Sequence, residues 1–191
     1  MKRTKLFALM TAAVFMLTLC ACAASETGME RFESMRQSVV DRELSFSADI
    51  TADQGRTVEN FSVDCLRADR EYLITITSPE LIRGISARTD NGGTGIEFDG
   101  VILDIGNLNS DGLTPVSAVP TIITAMEKGH LENFWKESSD SGEVYAALLN
   151  VSGDVDVILY MDAETMSPIG AEIRNDLITV LRCSFSGWNL A

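Results

Sequence analysis

Leu44-Ser45-Phe46-Ser47-Ala48-Asp49-Ile50 sets the pattern for the chain. Apolar and polar residues alternate strictly there, which is the signature of a strand buried on one face. The period of two then persists. Phe61, Val63 and Cys65 alternate with Ser62 and Asp64. Tyr72, Ile74 and Ile76 form a third strand, stopped by Ser78-Pro79, and residues 84–89 a fourth. Gln54-Gly55 and Asp90-Asn91-Gly92-Gly93 are turn signals between them. Residues 95–98 and 101–105 flank Asp99-Gly100, a two-residue spacer that favours a type I′ hairpin because both positions need positive φ.

The chain opens differently. Thr27-x-x-Glu30 has the form of a capping box. Met29, Phe32, Met35 and Val39 recur at three- and four-residue spacing, so a helix is expected from there to about Val40. A second helix is expected from Thr114, or from a residue just before Pro120, with a proline near its first turn. Ile122, Ile123 and Met126 form its apolar stripe, and Lys128-Gly129 ends it. Strands resume at residues 144–151. Val155, Val157, Leu159 and Met161 line one face of the return strand, and Ile158 and Tyr160 make its other face apolar too. Ile169, Ala171 and Ile173 follow Pro168, and residues 179–188 close the chain. About nine antiparallel strands and two short helices describe a mainly β (α+β) protein built on one large curved sheet. Strands apolar on both sides imply that something covers part of each face.

Ahead of this lies Lys2-Arg3-Thr4-Lys5, an uncharged apolar run to Leu19, and then Cys20-Ala21-Cys22. A basic start, an apolar run and a small residue before the cut describe a secretory leader. Leu-x-Ala-Cys adds the mark of a bacterial lipoprotein, with cleavage before Cys22 and the lipid on that cysteine. The expected division is residues 1–21 as leader, 22–28 as linker to the anchor and 29–191 as one domain. The expected location is the outer side of the cytoplasmic membrane. Cleavage leaves 170 residues with 12 basic against 28 acidic side chains, a charge of −16. That surface repels nucleic acid and anionic headgroups, so membrane attachment would come through the lipid.

Chemistry is sparse. His130 is the single histidine and follows the Gly129 helix stop, where a loop or helix-end residue is expected. No nucleophile elbow, paired Cys-x-x-Cys, zinc-binding His-Glu-x-x-His or phosphate loop is present. Asp154-x-Asp156 reads as the polar start of a strand more readily than as a cation site. Trp135 and Trp188 read as packing residues before sugar platforms. No catalytic residue, metal or cofactor is expected. Cys65 and Cys183 both lie on apolar strand phases, where they could pair or remain buried thiols.

The order of elements resembles the LolA/LolB-like lipoprotein carriers. The local text agrees at 76–85 (ITSPELIRGI), at 96–103 (IEFDGVIL) and at 159–169 (LYMDAETMSPI), and nearly the whole mature chain is covered. Within that group it is most similar to small clostridial, germination-type lipoproteins. The resemblance implies an open antiparallel half-barrel of about 9–11 strands with the two helices over its concave face. In the carriers that hollow holds acyl chains. Phe46, Ile74, Phe98, Ile122, Ile123, Met126, Leu148, Leu159 and Phe185 would line such a cleft here. Three functions follow, in order of expectation. The first is a membrane-anchored, non-enzymatic protein holding a lipid or acyl group. The second is a partner or activator lipoprotein docking a cell-envelope or spore-cortex protein, its hollow filled by its own side chains. The third is a carboxylate-dependent wall hydrolase.

Overall fold

The structure, a computed structural model, describes residues 27–53, 55, 57–90, 93–98, 101–104, 115–139 and 142–191. Eleven strands form one antiparallel sheet, in the order β6-β5-β4-β3-β2-β1-β11-β10-β9-β8-β7. Two meanders meet in its middle. The first comprises β1 (Leu44–Asp53), β2 (Val58–Ala68), β3 (Glu71–Ser78), β4 (Ser86–Asp90), β5 (Gly93–Phe98) and β6 (Val101–Asp104). The second comprises β7 (His130–Ser139), β8 (Gly142–Ser152), β9 (Val155–Asp162), β10 (Pro168–Asn175) and β11 (Ile178–Leu190). They join where β11 pairs with β1, Ala48 opposite Phe185 and Ile50 opposite Cys183. The outermost strands, β6 and β7, have no partner beyond them among the described residues, so the half-barrel is open.

Two helices complete the chain. Helix α1 (Gly28–Val39) precedes the sheet, and its capping box is formed. The Thr27 hydroxyl accepts from the Glu30 N–H, and the Glu30 carboxylate accepts from the Thr27 N–H at 2.7 Å. Phe32 and Val39 are buried from its apolar stripe, with Met35 packed beside them. Helix α2 (Pro115–Lys128) carries the chain from one open edge of the sheet to the other. It starts at Pro115, so Pro120 lies inside it and forgoes one backbone hydrogen bond there. Both helices pack on the concave face.

β1 shows why the sheet has a definite inside. Leu44, Phe46, Ala48, Ile50 and Ala52 are buried while Asp49 is exposed, as strict alternation requires. β7 is a strand that periodicity did not anticipate, and it places His130 at a strand start instead of in a loop or at a helix end. A register shift between Leu131 and Asn133 explains the miss. The bulge puts Leu131 and Phe134, three residues apart, against the same core, and this breaks the period of two. A similar bulge between Pro168 and Gly170 turns Ile169 outward while Ala171 and Ile173 stay buried. The turns at Asn91-Gly92 and Asp99-Gly100 lie outside the described residues. The pairings on either side of them, Asp90 with Gly93 and Phe98 with Val101, are those of two-residue connections.

Candidate functional site: the helix-covered concave face

The inward phases of the strands converge on one apolar cluster. Phe46, Ile50, Val63, Ile74, Leu149, Leu159, Ile173 and Leu181 contribute from the sheet, and Phe32, Val119, Ile122, Ile123 and Met126 from the helices. Ile122, Ile123 and Met126 are at most 1% exposed, so α2 sits in contact with the sheet floor with no water-sized space at these side chains. Aromatic rings fill the flanks. Phe46 stacks on Trp188 with centroids 4.8 Å apart and meets Phe185 edge-on at 5.3 Å. Phe32 lies 5.3 Å from Phe134, which stacks on Tyr145 at 5.2 Å.

Three arginines tie the helices down. Arg67, on the inward phase of β2 after Val63 and Cys65, is 4% exposed. Its Nη1 lies 2.5 Å from the Glu127 carboxylate on α2, its Nη2 donates to the Val39 carbonyl that ends α1, and its Nε donates to the Arg42 carbonyl at 3.0 Å. Burial opposes the Arg67 cation, but hydrogen bonding to Tyr72 and Glu127 outweighs it and leaves the guanidinium more basic than usual. The Tyr72 hydroxyl is made less acidic, chiefly by burial. Arg36 of α1 donates to the Met126 and Gly129 carbonyls at 2.7 and 2.8 Å. Arg31 donates to the Ala163 and Glu164 carbonyls of the β9–β10 turn at 3.0 and 2.5 Å. For Arg67 and Arg36, a cation on the carbonyls at a helix C-terminus is favourable on both hydrogen-bonding and dipole grounds. The Arg67–Glu127 contact forms one wall of a groove of about 660 Å³ between the α1–β1 linker, the β2–β3 turn and α2, with four basic and four acidic side chains around it. The signal that could have singled out Arg67 was a cation on the apolar phase of a strand.

Seven of the nine residues expected to line a cleft gather in or against this cluster: Phe46, Ile74, Ile122, Ile123, Met126, Leu159 and Phe185. Two do not. Leu148 stands opposite Ile158 on the outer face of the sheet, while its neighbours Ala147 and Leu149 face inward. A strand apolar on both sides hides its phase. Phe98 shares the phase of Ile96 but ends β5 beyond the packed core and is 52% exposed. Cys65 and Cys183 are both buried and both free, so the pairing that spacing left open is not made. β1 lies between them, with Cys65 opposite Phe46 and Cys183 opposite Ile50. Burial pushes both thiols up to about 12. Trp188 is a packing residue. Trp135 instead pairs with Ala146, an outward position on the phase of Leu148, and donates to Glu137 at 3.0 Å. Asp156 accepts from Asn150 at 2.9 Å, and among the described residues no group of three or more His, Cys, Asp or Glu side chains could hold a metal. Cys22 lies outside the described residues. None of the described helices is long and apolar enough to cross a membrane.

No family model matches the chain, and no curated protein matches it. Several solved structures are similar to it. One is an uncharacterized conserved protein from Thermus thermophilus, with a TM-score of 0.51 and 7% identity over 86% of this chain and 88% of that one. Another is a LolA superfamily protein from Nitrosomonas europaea, with a TM-score of 0.47 and 15% identity over 83% and 93%. A third is a chain from the Clostridioides difficile CwlD amidase in complex with the GerS lipoprotein, with a TM-score of 0.45 and 16% identity over 85% and 95%. The fold itself, a helix, six strands, a second helix and a final run of strands in one open sheet, is the open antiparallel half-barrel that the resemblance implied.

Proposed function

We propose that this chain is an envelope lipoprotein, anchored through Cys22 on the outer side of the cytoplasmic membrane after loss of residues 1–21, that works by docking another envelope protein and carries out no chemistry of its own. The observation that carries this reading is the close packing of α2 against the sheet floor. Ile122, Ile123 and Met126 occupy the space that an acyl chain would need, against Phe46, Ile74 and Leu159. A carrier of apolar ligands would have to lift α2, breaking the Arg36 bonds and the buried Arg67–Glu127 pair together. Leaving one member of such a pair buried alone costs about 3–5 kcal/mol. What remains for recognition is the outer surface.

Met126→Trp, assayed with a fluorescent fatty acid, separates the two modes of action. In a filled face the added bulk destabilises the protein by about 1–3 kcal/mol, and the wild type takes up no fatty acid. Saturable uptake by the wild type, blocked by a Met126→Trp variant of unchanged stability, would replace docking with lipid carriage.

A further inference from the structure

The outer face of the sheet has two unlike halves. Over β1 and β2 it is a ladder of small polar residues that bond to each other: Ser47 to Asp64 and Ser62 to Asp49 at 2.7 Å, and Thr51 to Asn60 at 2.9 Å. Over β7, β8 and β9 the same phase reads Trp135, Ala146 and Tyr160 in one row and Leu148 and Ile158 in the next. Ala146 and Ile158 are buried among these side chains, and Trp135, Leu148 and Tyr160 are half-buried. The row that runs through Tyr160 continues to Gly170 on β10 and Ser184 on β11. A Cβ on Gly170 would lie 2.7 Å from the Cys183 carbonyl oxygen, so the position is held to glycine. The missing side chain leaves a groove of about 340 Å³ beside Tyr160, with Ile169, Glu137, Glu172 and Arg182 around it.

We infer that this groove seats a lysine or arginine side chain carried on an extended, otherwise apolar segment of a basic partner protein. The inference rests on the docking reading above and gives it a place and a chemistry. Charge is the first argument. Two carboxylates, Glu137 and Glu172, line the groove with one guanidinium, Arg182, which already donates to Glu172 at 3.3 Å. After burial, Glu172 and Glu137 are the strongest influences on the Tyr160 hydroxyl. They add to the effect of burial in making it less acidic, against Arg182 and Arg174. The chain as a whole carries −13. The second argument is shape. A cation placed over the Tyr160 ring gains the attraction of its face, and the neighbouring apolar residues of the segment would cover Leu148 and Ile169.

The test is an amide NMR titration of the mature chain, made with Cys22→Ser so that no anchor is attached. The probes are acetyl-Arg-Leu-Arg-Leu-amide and its uncharged counterpart acetyl-Gln-Leu-Gln-Leu-amide. The expected result is a set of shifts centred on Gly170 and Tyr160 with the arginine peptide alone. Affinity should fall at least about tenfold in the doubly substituted Glu137→Gln, Glu172→Gln variant, whose unchanged remaining spectrum reports its fold. Shifts spread evenly over the acidic surface, equal affinity in that variant, or equal binding of the glutamine peptide would each overturn the inference. Failure here together with absence of fatty-acid uptake moves docking to another face, whereas fatty-acid uptake overturns docking itself.

Discussion

Adjacent residues of β8 meet opposite conditions. Leu149 faces the concave side, fully buried under α2, while Leu148 faces the outer side, half-buried beside Ile158. The outer face differs again between its halves, with hydroxyls and carboxylates bonded side by side on β1 and β2 and leucine, isoleucine and aromatic rings on β7 to β9. A sheet face meant for water takes the first composition. A face of the second composition, with Trp135, Leu148 and Tyr160 half-buried, is suited to a further covering layer. The concave face has its cover already.

The largest effect that would sharpen this contrast is at Arg67. Arg67→Ala should cost about 3–5 kcal/mol in urea unfolding, since it leaves the largely buried Glu127 carboxylate without its cation. A cost under 1 kcal/mol would mean that the helices are held by packing alone. Next come the two leucines. Leu149→Ala should cost about 2–5 kcal/mol, and Leu148→Ala about 1 kcal/mol, because only part of its surface is removed from water. Equal costs would break the comparison of the two faces.

Most of the sheet could be read in advance for a physical reason. β1 to β3 each bury one face, so their alternation records the direction of every side chain. α1 was legible from its stripe and from Thr27 and Glu30. Three features were not legible. The bulge at Leu131 and Asn133 erased the period of β7. The double-sided apolar composition of β8 concealed which way Leu148 points. Arg67 revealed its role only when two helix ends arrived at it, and no local pattern encodes that meeting. The contents of the concave face were partly legible, since seven of the nine expected residues gather there. Whether they enclose space or fill it depends on how closely α2 approaches the sheet, and the periodicity of a helix says nothing about its distance from a neighbour.

The thiols test the inner face by chemistry. With both pushed up to about 12, Cys65 and Cys183 should react with a bulky maleimide at pH 8 far more slowly in native protein than in urea. The sign of the linked pH effect follows. Unfolded thiols ionise above about 8.5 while the folded ones stay protonated, so the folded state binds more protons and stability falls as pH rises from there toward 12. Replacing both cysteines by alanine should remove that part of the alkaline loss. Labelling of native protein at the denatured rate would mean that the inward phase of β2 and β11 is wrong.

The smallest effect lies at the start of α1. Hydrogen bonding to Thr27 lowers the Glu30 pKa, so its contribution is present above the unfolded value of about 4.3 and is lost as pH falls through the lower folded value. Glu30→Ala should lower the urea midpoint slightly at pH 7 and by less below pH 4. An unchanged difference at both pH values would remove Glu30 from the cap.

The claim on which the rest depends is that the concave face is filled by the chain itself. A native mass spectrum of the mature Cys22→Ser chain, purified from cells without delipidation, tests it most directly. The account predicts the bare polypeptide mass and no bound lipid. A stoichiometric adduct of acyl-chain mass that survives desalting and is lost in Met126→Trp would contradict it.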